Sequence, residues 1–419
     1  MDQRRFLWWH EAALSVLGLW PPQGISGVSF GVYWVYRILF LFVFCFAFNA
    51  FEIAGFFVIY NDLQAVASNL CWSLMHFTVC LKIGLFFAKI AELKRICARL
   101  RTSVFLPNQE RSPGEPEVVA IAVKMSVGYL LVYYSMTVVI LANCFIAPLY
   151  REKPLETLDA NPADSKPEPP QNPLPYYTYV FCNALKSPCY EIAYIYQTLS
   201  TLVCSLVLIH CDNLYLFIVM VCTSQLRILN ASLETVIRRA TRNCPKQRWK
   251  DYAGLRTKRN DVVDRESFRL GANCVKHHHA ILEVLDELEG IYNLVILIQF
   301  LSHLVQLCFQ MFIVSEISLL SFDGLSMLAF VVAMVIEVYV YCQCGNEIEI
   351  ESSKISQSAY NAQWTSSSEP VKRMLLIIML RAQRPVEFTV GKFVKLSLRT
   401  LVSVVQGSFS YFMVLRKMQ

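Results

Sequence analysis

The sequence predicts an all-α polytopic membrane protein with seven transmembrane helices, a cytoplasmic N-terminus, an extracellular C-terminus and a cytoplasmic helical anchor region. Three observations predict this class: the composition, the number of long apolar stretches and the distribution of Lys and Arg. Hydrophobic residues make up 55% of the 419 residues and charged residues only 17%, whereas soluble domains carry about 25% charged residues. The mean hydropathy is +0.42. These values exclude a disordered chain, a disulfide-rich scaffold and most cytosolic enzymes.

Seven stretches are long and apolar enough to cross a bilayer, whose ~30 Å hydrocarbon core requires about 20 apolar residues. They cover residues 38–60, 69–91, 118–147, 190–221, 291–319, 325–344 and 388–415. The seventh stretch is the weakest, because Lys392, Lys395 and Arg399 interrupt its first half. We therefore expect its first half either to face away from lipid or to begin outside the bilayer.

Lys and Arg are distributed unevenly between the two sets of connecting segments. With the N-terminus inside, the inside segments hold 27 of these residues and the outside segments hold 6. An excess of Lys and Arg marks the cytoplasmic side. A G-protein-coupled receptor has the opposite orientation, and the sequence lacks a DRY-like triplet after the third span and an NPxxY motif in the seventh. The pattern therefore argues against coupling to a G protein.

Two long loops have distinct compositions. The outer segment 148–188 holds 9 of the 17 prolines, which predicts an extended segment, either a lid over an outer binding site or a disordered connector. The inner segment 227–290 carries a basic part that is either a solvated loop or a contact with anionic lipid. Apolar residues at 281, 282, 285 and 288 have helical spacing, so the fifth span is expected to extend into the cytoplasm.

The sequence contains no motif typical of a catalytic site, and its notable polar residues have other interpretations. No phosphate-binding loop, G-x-S-x-G or H-E-x-x-H motif is present, which predicts that the chain is not an enzyme and needs no cofactor or metal. The run 277–279 is three histidines that we interpret as a solvated surface run, because adjacent helical residues point in different directions. Glu52 and Glu337 are isolated acids within spans, for which interior hydrogen bonds are expected. Cys182 and Cys189 either form a disulfide on the outer side or remain free.

The last 80 residues carry a set of motifs in a specific order. Tyr360 and Trp364 are four residues apart and are expected to share a helix face, and residues 371–381 are expected to form a helix that ends before Pro385. The motifs are Tyr360…Trp364, Arg381-Ala-Gln-Arg384-Pro385, Gly391-Lys-Phe393 and Ser408-Phe-Ser410-Tyr411-Phe412. With these motifs in this order and at this spacing, the chain resembles the insect odorant receptor family.

The resemblance implies a ligand-gated, non-selective cation channel in which four subunits surround one pore. It implies five parts: helices one to four with an outer ligand-binding bundle in 1–220, a cytoplasmic loop with helix extensions in 221–290, helices five and six in 291–345, an anchor segment in 346–387 and a pore-lining helix in 388–419. The anchor motif residues are Tyr360, Trp364, Arg381, Arg384 and Pro385. The inner loop is shorter than that of the co-receptor subtype, so the chain resembles a tuning subunit that assembles with odorant co-receptor subunits.

The last helix has one face of small and polar residues. Ser403, Gly407, Ser410 and Val414 recur at spacings of 4, 3 and 4, which suits either a pore lining with a hydrophobic gate or a small-residue packing seam. The resemblance places Val414 at the gate, with Lys417 and Met418 near the outer mouth. In a homomer, all four subunits would place Lys417 at the outer mouth of the pore. Four lysines there would repel cations, so we expect a homomer to conduct cations poorly.

The resemblance also implies that a small, volatile and mostly apolar ligand binds in the outer half of the bundle. Candidate contacts, chosen by depth along each span, are Met75, His76, Val79, Tyr134, Thr137, Tyr194, Gln197, Thr198, Phe309, Phe312, Phe330 and Met334. Aromatic and Met side chains with a few hydroxyl groups suit such a ligand. Ordinary bundle packing is the alternative role for each of them.

The expected partners are co-receptor subunits, the ligand, the lipid bilayer and permeant monovalent cations, with divalent cations as a further candidate. No nucleic acid and no G protein are expected. The expected location is the plasma membrane of sensory neuron dendrites. Two alternatives stay open: a gustatory-receptor-type channel, whose last motif more often has Thr-Tyr than Ser-Tyr, and a membrane transporter.

Overall fold

Among the residues that the structure describes, seven helices are long and apolar enough to span a membrane, as the sequence predicts. The computed structural model describes residues 3–22, 24, 26–106, 114–150, 174–181, 187–244, 256–316 and 322–417. The helices are α1 Gln3–Val16, α2 Gly27–Leu41, α3 Phe48–Ile59, α4 Leu63–Leu100, α5 Glu115–Tyr150, α6 Cys189–Glu234, α7 Val236–Asn243, α8 Arg256–Glu316, α9 Phe322–Tyr360, α10 Glu369–Ala382 and α11 Leu398–Lys417. A π-helical segment, Phe42–Ala47, joins α2 to α3 in one continuous span.

Helix α6 occupies the centre of the bundle. It contacts α5, α8 and α9, and nearly every residue from Cys204 to Leu233 is buried. A helix in the interior of a bundle is buried on all sides, and the few polar residues of this span, Asp212 among them, are buried with it. The core of the fold therefore forms around α6.

Several helices are much longer than a bilayer is thick. Helix α8 has 61 residues, which at 1.5 Å per residue is about 90 Å, three times the hydrocarbon thickness. The amphipathic stretch at 281–288 lies within α8, so the predicted helical extension of the fifth span is confirmed; its cytoplasmic location stays a prediction. Helix α10 packs on the long helices α8 and α9, and its bounds confirm the helix predicted at 371–381.

The final span differs from its prediction at its start. Residues 389–395 form a two-stranded antiparallel hairpin, β1 Thr389–Val390 and β2 Val394–Lys395, and α11 begins at Leu398 rather than at Phe388. Gly391 and Lys392 both have φ of +63°, a left-handed conformation that makes the tight turn. Two of the three charges that weakened this span therefore lie outside the helix.

Two other expectations about this half of the chain are wrong. Tyr360 ends α9, Gln363 is left-handed with φ of +57°, and Trp364 begins a separate 3₁₀ turn, so Tyr360 and Trp364 do not share a helix face. In the histidine run, His277 and His278 are buried, and only His279 is exposed. His277 Nε2 lies 2.9 Å from Gln225 Oε1 on α6, which supplies the polar partner that a buried imidazole requires.

Residues 174–181 of the proline-rich loop form a short strap across α3 and α6. The Tyr179 amide donates to the Phe51 carbonyl at 3.0 Å. Gln197 on α6 accepts from the Tyr176 amide and donates to the Tyr176 carbonyl, both at 3.2 Å. These bonds fix 174–181 against the bundle. Residues 151–173 and Cys182 lie outside the described residues; Cys189 is disulfide-bonded.

Candidate functional site

A cavity of about 80 Å³ lies among α4, α5, α6, α8 and α9. Most of its surface is apolar, formed by methionine, leucine, isoleucine and aromatic side chains. Prominent among these are Trp72, Met75, Met136, Leu208, Phe330 and Met334. Met side chains adapt their shape to different contents, so this lining suits a small apolar molecule.

One side of the cavity is polar and will be called the polar wall: Asp212, His303, Gln306 and Glu337. His303 Nε2 lies 3.2 Å from Glu337 Oε1, and the Gln299 side-chain amide also donates to Glu337. Isolated charges are costly in a membrane-spanning bundle. Mutual pairing offsets this cost within the polar wall.

Asp212 has its own charged partner. Lys82 on α4 donates to the Asp212 carboxylate on α6, and the two side chains are 2% and 5% exposed. Lys82 is one of the 27 Lys and Arg residues that the sequence assigns to the inside segments, but the structure places it inside the bundle. The pair joins two helices that line the cavity.

Trp72 connects the cavity to the strap. Its ring lies 5.0 Å from the Phe330 ring inside the cavity lining and 5.1 Å from the Tyr176 ring of the strap. Gln197, predicted as a ligand contact, binds the backbone of Tyr176 instead. The segment beside the cavity is therefore held by aromatic packing as well as by hydrogen bonds.

Four of the twelve predicted ligand contacts line the cavity: Met75, Thr137, Phe330 and Met334. The others have different surroundings. Val79 is fully buried in the core, and Phe309 and Phe312 pack in a separate cluster with Phe412 of α11. Tyr134 lies 2.7 Å from His210 Nε2, and the Thr198 hydroxyl donates to the Tyr194 carbonyl within α6. None of these eight is among the residues that line the cavity.

His76 is one of those eight and belongs to a separate buried pair. Its Nδ1 lies 2.8 Å from Glu52 Oε2, and both side chains are fully buried. Asn49 also donates to Glu52 at 3.4 Å. The interior hydrogen bonds expected for Glu52 and Glu337 are confirmed, and neither acid is isolated.

The sequence alone did not reveal much of the polar side of the cavity. Asp212, His303, Gln306 and Tyr133 were not singled out, although Asp212 lies in the middle of an otherwise apolar span, LVLIHCDNLYLF. An acid at such a position is itself a signal of a functional or paired site. His303 is also an ionisable residue within a span and gives the same signal. Gln306 and Tyr133 give none, because single neutral polar residues are common in spans that pack against one another.

Helix α11 touches the cavity-lining helix α8 directly. The Ser408 hydroxyl lies 3.1 Å from the Leu304 carbonyl, and a Cβ on Gly407 would lie 3.6 Å from the Leu304 side chain. Val404, Ser408 and Phe412 form the buried face of α11, while Ser403, Ser410, Val414 and Lys417 are exposed on the chain. Met418 lies outside the described residues.

The anchor motif residues lie where α9 and α10 end. The Arg381 guanidinium donates to the Arg384 carbonyl at 3.1 Å, which satisfies a carbonyl beyond the end of α10. Pro385 follows and cannot continue a helix. Tyr360 is 63% exposed, whereas Trp364 packs against the core. Within the described residues, no group of three or more His, Cys, Asp or Glu could hold a metal ion.

Comparison with known proteins gives a consistent result. The sequence profile described as 7tm odorant receptor matches residues 62–409. Odorant receptor 10 of Aedes albopictus is 26% identical over 246 residues, which cover 58% of this chain and 60% of that receptor. The chain therefore spans less than two thirds of that relative. The odorant receptor coreceptor of Aedes aegypti is 25% identical over a shorter match, 38% of this chain and 33% of the coreceptor.

A solved structure extends the similarity to the whole fold. The insect olfactory receptor OR5 from Machilis hrabei, determined in complex with eugenol, superposes with a TM-score of 0.79. The superposition covers 99% of this chain and 98% of that chain, at 14% sequence identity. At this identity the similarity shows the fold alone.

Proposed function

Because the chain belongs to the 7tm odorant receptor family, a family of receptors rather than enzymes, we propose that it is the tuning subunit of an odorant-gated, non-selective cation channel. A small, mostly apolar volatile binds in the cavity among α4, α5, α6, α8 and α9. The subunit forms a heterotetramer with odorant co-receptor subunits in the plasma membrane of sensory neuron dendrites. Its N-terminus is cytoplasmic and no G protein takes part.

The contact between α8 and α11 carries this proposal. His303 and Gln306 on α8 line the cavity, and the carbonyl of Leu304 between them accepts a hydrogen bond from the Ser408 hydroxyl of α11. A ligand that displaces the lining part of α8 therefore moves the part that touches α11. Binding shifts the gate if the ligand has different affinities for the two positions of α8.

The exposed face of α11 is the proposed pore lining. Ser403 and Ser410 present hydroxyl groups, Val414 forms the hydrophobic gate, and Lys417 and Met418 lie near the mouth. In a homomer four copies of Lys417 would repel cations. Co-receptor subunits with a neutral residue there would dilute this charge, which explains why two kinds of subunit are needed.

Current recording with and without the co-receptor tests this proposal. Cells that express both subunits are expected to give cation currents with members of a volatile panel, and the chain alone is expected to give little current. Lys417→Gln is expected to increase the homomer current. Robust current from the unmodified homomer would contradict the assigned role of Lys417.

Matched methionine variants test the cavity. Met334→Ala is expected to shift the ligand concentration that gives half-maximal current, because Met334 lines the cavity. Met125→Ala is the control, since Met125 is 44% exposed on α5, and Tyr194→Ala is a second control outside the cavity. With equal surface expression, an unchanged response in Met334→Ala would refute binding in this cavity.

A further inference from the structure

A wide groove lies between the first helix and the end of the fourth. It has a volume of about 580 Å³ and is bordered by α1, the turn that follows α1 and Arg101, the residue that caps the C-terminus of α4. This volume is within the usual range of ligand sites, about 300–1,000 Å³. Its lining combines aromatic rings with charged groups: Trp8, Trp20, Arg4, Glu11 and Arg101. The ligand cavity and the proposed pore lining share no residue with this groove.

Positive charge is in excess in the groove. Arg4 and Arg101 face a single acid, Glu11, and Arg101 Nη2 pairs with Glu11 Oε2 at 2.6 Å. Among the described residues, this is the only ion pair that the charges of the groove form. Arg4 is exposed. A guanidinium group presents five N–H donors in a planar fork that matches a phosphate group, so the groove favours an anion such as a phosphodiester.

The groove lies at the depth of a membrane boundary. The His10 ring of α1 is 5.7 Å from the His210 ring of α6. His210 is 20 residues from Tyr190, at the other end of this span, which is about 30 Å along the helix and equals the thickness of the hydrocarbon core. The Tyr33 hydroxyl of α2 also donates to the Ser15 carbonyl at 3.0 Å. These contacts hold α1 at the edge of the bilayer core, on the side opposite to the strap.

Exposed tryptophan side chains on α1 indicate contact with lipid. Trp8 is 63% exposed and Trp9 is 41% exposed, and Arg4 and Arg5 precede them on the same helix. Tryptophan is enriched at membrane boundaries, and helices that carry both basic and aromatic residues lie in the interface. Because Trp8 borders the groove, a lipid whose phosphate binds the arginines would place its glycerol and upper acyl chains against this ring.

We propose that this groove binds the head group of an anionic phospholipid. The phosphate accepts hydrogen bonds from Arg4 and Arg101, and Trp8 contacts the acyl-glycerol part. Since Arg4 lies on α1 and Arg101 ends α4, the lipid joins these two helices. The site itself is independent of the proposed function. Its assignment to the cytoplasmic leaflet, where anionic lipids are concentrated, rests on the cytoplasmic N-terminus that is part of the proposed function.

Four probes test the chemistry of binding. Full-length protein in neutral detergent micelles is titrated with dioctanoyl phosphatidylserine, dioctanoyl phosphatidylcholine, glycerophosphoserine or inorganic phosphate, and the bound fraction is measured by native mass spectrometry. Phosphatidylserine is expected to bind about fivefold more tightly than phosphatidylcholine, since one basic residue near an anionic lipid is worth that factor. The two probes without acyl chains are expected to bind at least about tenfold more weakly than phosphatidylserine. Equal binding of the two lipids overturns the preference for an anion, and glycerophosphoserine or phosphate bound as tightly as phosphatidylserine overturns the assignment to a lipid.

Charge variants of α1 test the assigned residues. Arg4→Gln is expected to weaken phosphatidylserine binding about fivefold. Arg5→Gln is the matched control with no expected shift, because Arg5 is exposed on the same helix but does not line the groove. Glu11→Gln removes the acid that pairs with Arg101 and is expected to strengthen binding about fivefold, a gain that a misfolded protein cannot produce. Unchanged binding in Arg4→Gln, equal losses in Arg4→Gln and Arg5→Gln, or no gain in Glu11→Gln overturns the site.

The outcome is distinguishable from that of the channel proposal. Lipid binding is measured without odorant, co-receptor or current, so its failure leaves odorant gating as proposed, and silent current recordings leave the lipid site as proposed. A tag on the N-terminus that antibodies reach in intact cells would overturn the assignment to the cytoplasmic leaflet while the binding data stand.

Discussion

The buried ion pair between Lys82 and Asp212 provides the sharpest test of how the bundle is held together. The two side chains are 2% and 5% exposed and in direct contact across α4 and α6. Lys82→Met removes the positive charge and leaves the Asp212 carboxylate without its partner. Asp212→Asn likewise leaves the Lys82 ammonium without its charged partner. The double variant removes both charges and keeps the approximate volume of both side chains.

The expected magnitudes follow from burial. Two unit charges about 4 Å apart at an effective dielectric constant near 20 interact by about 4 kcal/mol, and removal of one partner of a buried pair costs roughly 3–5 kcal/mol. Each single variant is therefore expected to lose that much unfolding free energy. The double variant is expected to lose much less than the sum, because neither charge is then unpaired.

The measurement is the free energy of unfolding of purified protein in mixed micelles, for the wild type, both single variants and the double variant. Lys89→Met is the matched control, since Lys89 forms a pair with Glu92 at 2.9 Å on the surface of the same helix, with 42% and 34% exposure. Such pairs contribute about 0–1 kcal/mol. A Lys82→Met loss no larger than that of Lys89→Met, or additive losses in the double variant, would refute the role assigned to the pair.

Two further predictions concern the strap and the N-terminal helix. A Cβ at Gly55 would lie 2.4 Å from the Tyr177 carbonyl, so Gly55→Ala should cost about 1–3 kcal/mol of unfolding free energy. The control is Gly84→Ala, where a Cβ would have nothing within 4 Å; this variant should add up to about 1 kcal/mol of unfolding free energy. Equal effects of the two variants would refute the close approach of the strap to Gly55. Burial, with a smaller contribution from the charge of His210, lowers the pKa of His10 from 6.5 to about 3. Folded His10 thus stays neutral while the unfolded chain takes up a proton below pH 6.5, so stability should fall by about 1.4 kcal/mol per pH unit between pH 6.5 and 3. His10→Gln should reduce this slope in pH-dependent melting, and an unchanged slope would contradict the assignment.

The sequence was sufficient for the number of spans and for their approximate positions. Length and apolarity are nearly independent of tertiary contacts, because the bilayer itself requires about 20 apolar residues. The predicted start of the seventh span, at Phe388, was wrong for a local reason. The run from Phe388 is apolar enough to resemble a span, and only the left-handed pair Gly391 and Lys392 shows that a hairpin precedes the helix.

The cavity was predicted less well, because depth along a span does not determine which way a side chain faces. Each helix places successive residues about 100° apart, and its rotation is set by packing against neighbours rather than by its own pattern. Met334 and Phe330 face the cavity, whereas Phe309 and Phe312, chosen on the same criterion, face Phe412 of α11. Helix α6 is buried on nearly all sides from Cys204 to Leu233, so it has no contrast between a buried and an exposed face from which its rotation could be inferred.

The polar wall changes how the sparse charge of this chain should be interpreted. Surface charges near span ends serve orientation, but Lys82, Asp212, His303 and Glu337 lie within the bundle and pair there. Such pairs cost desolvation energy that an apolar core would avoid, so their presence beside the cavity calls for a reason other than stability. The polar wall includes residues on either side of Leu304, the residue of α8 that contacts Ser408 of α11. The bonds of His303 and Gln299 to Glu337 hold α8 in a defined position relative to α9, and the proposed ligand would act on α11 by changing that position.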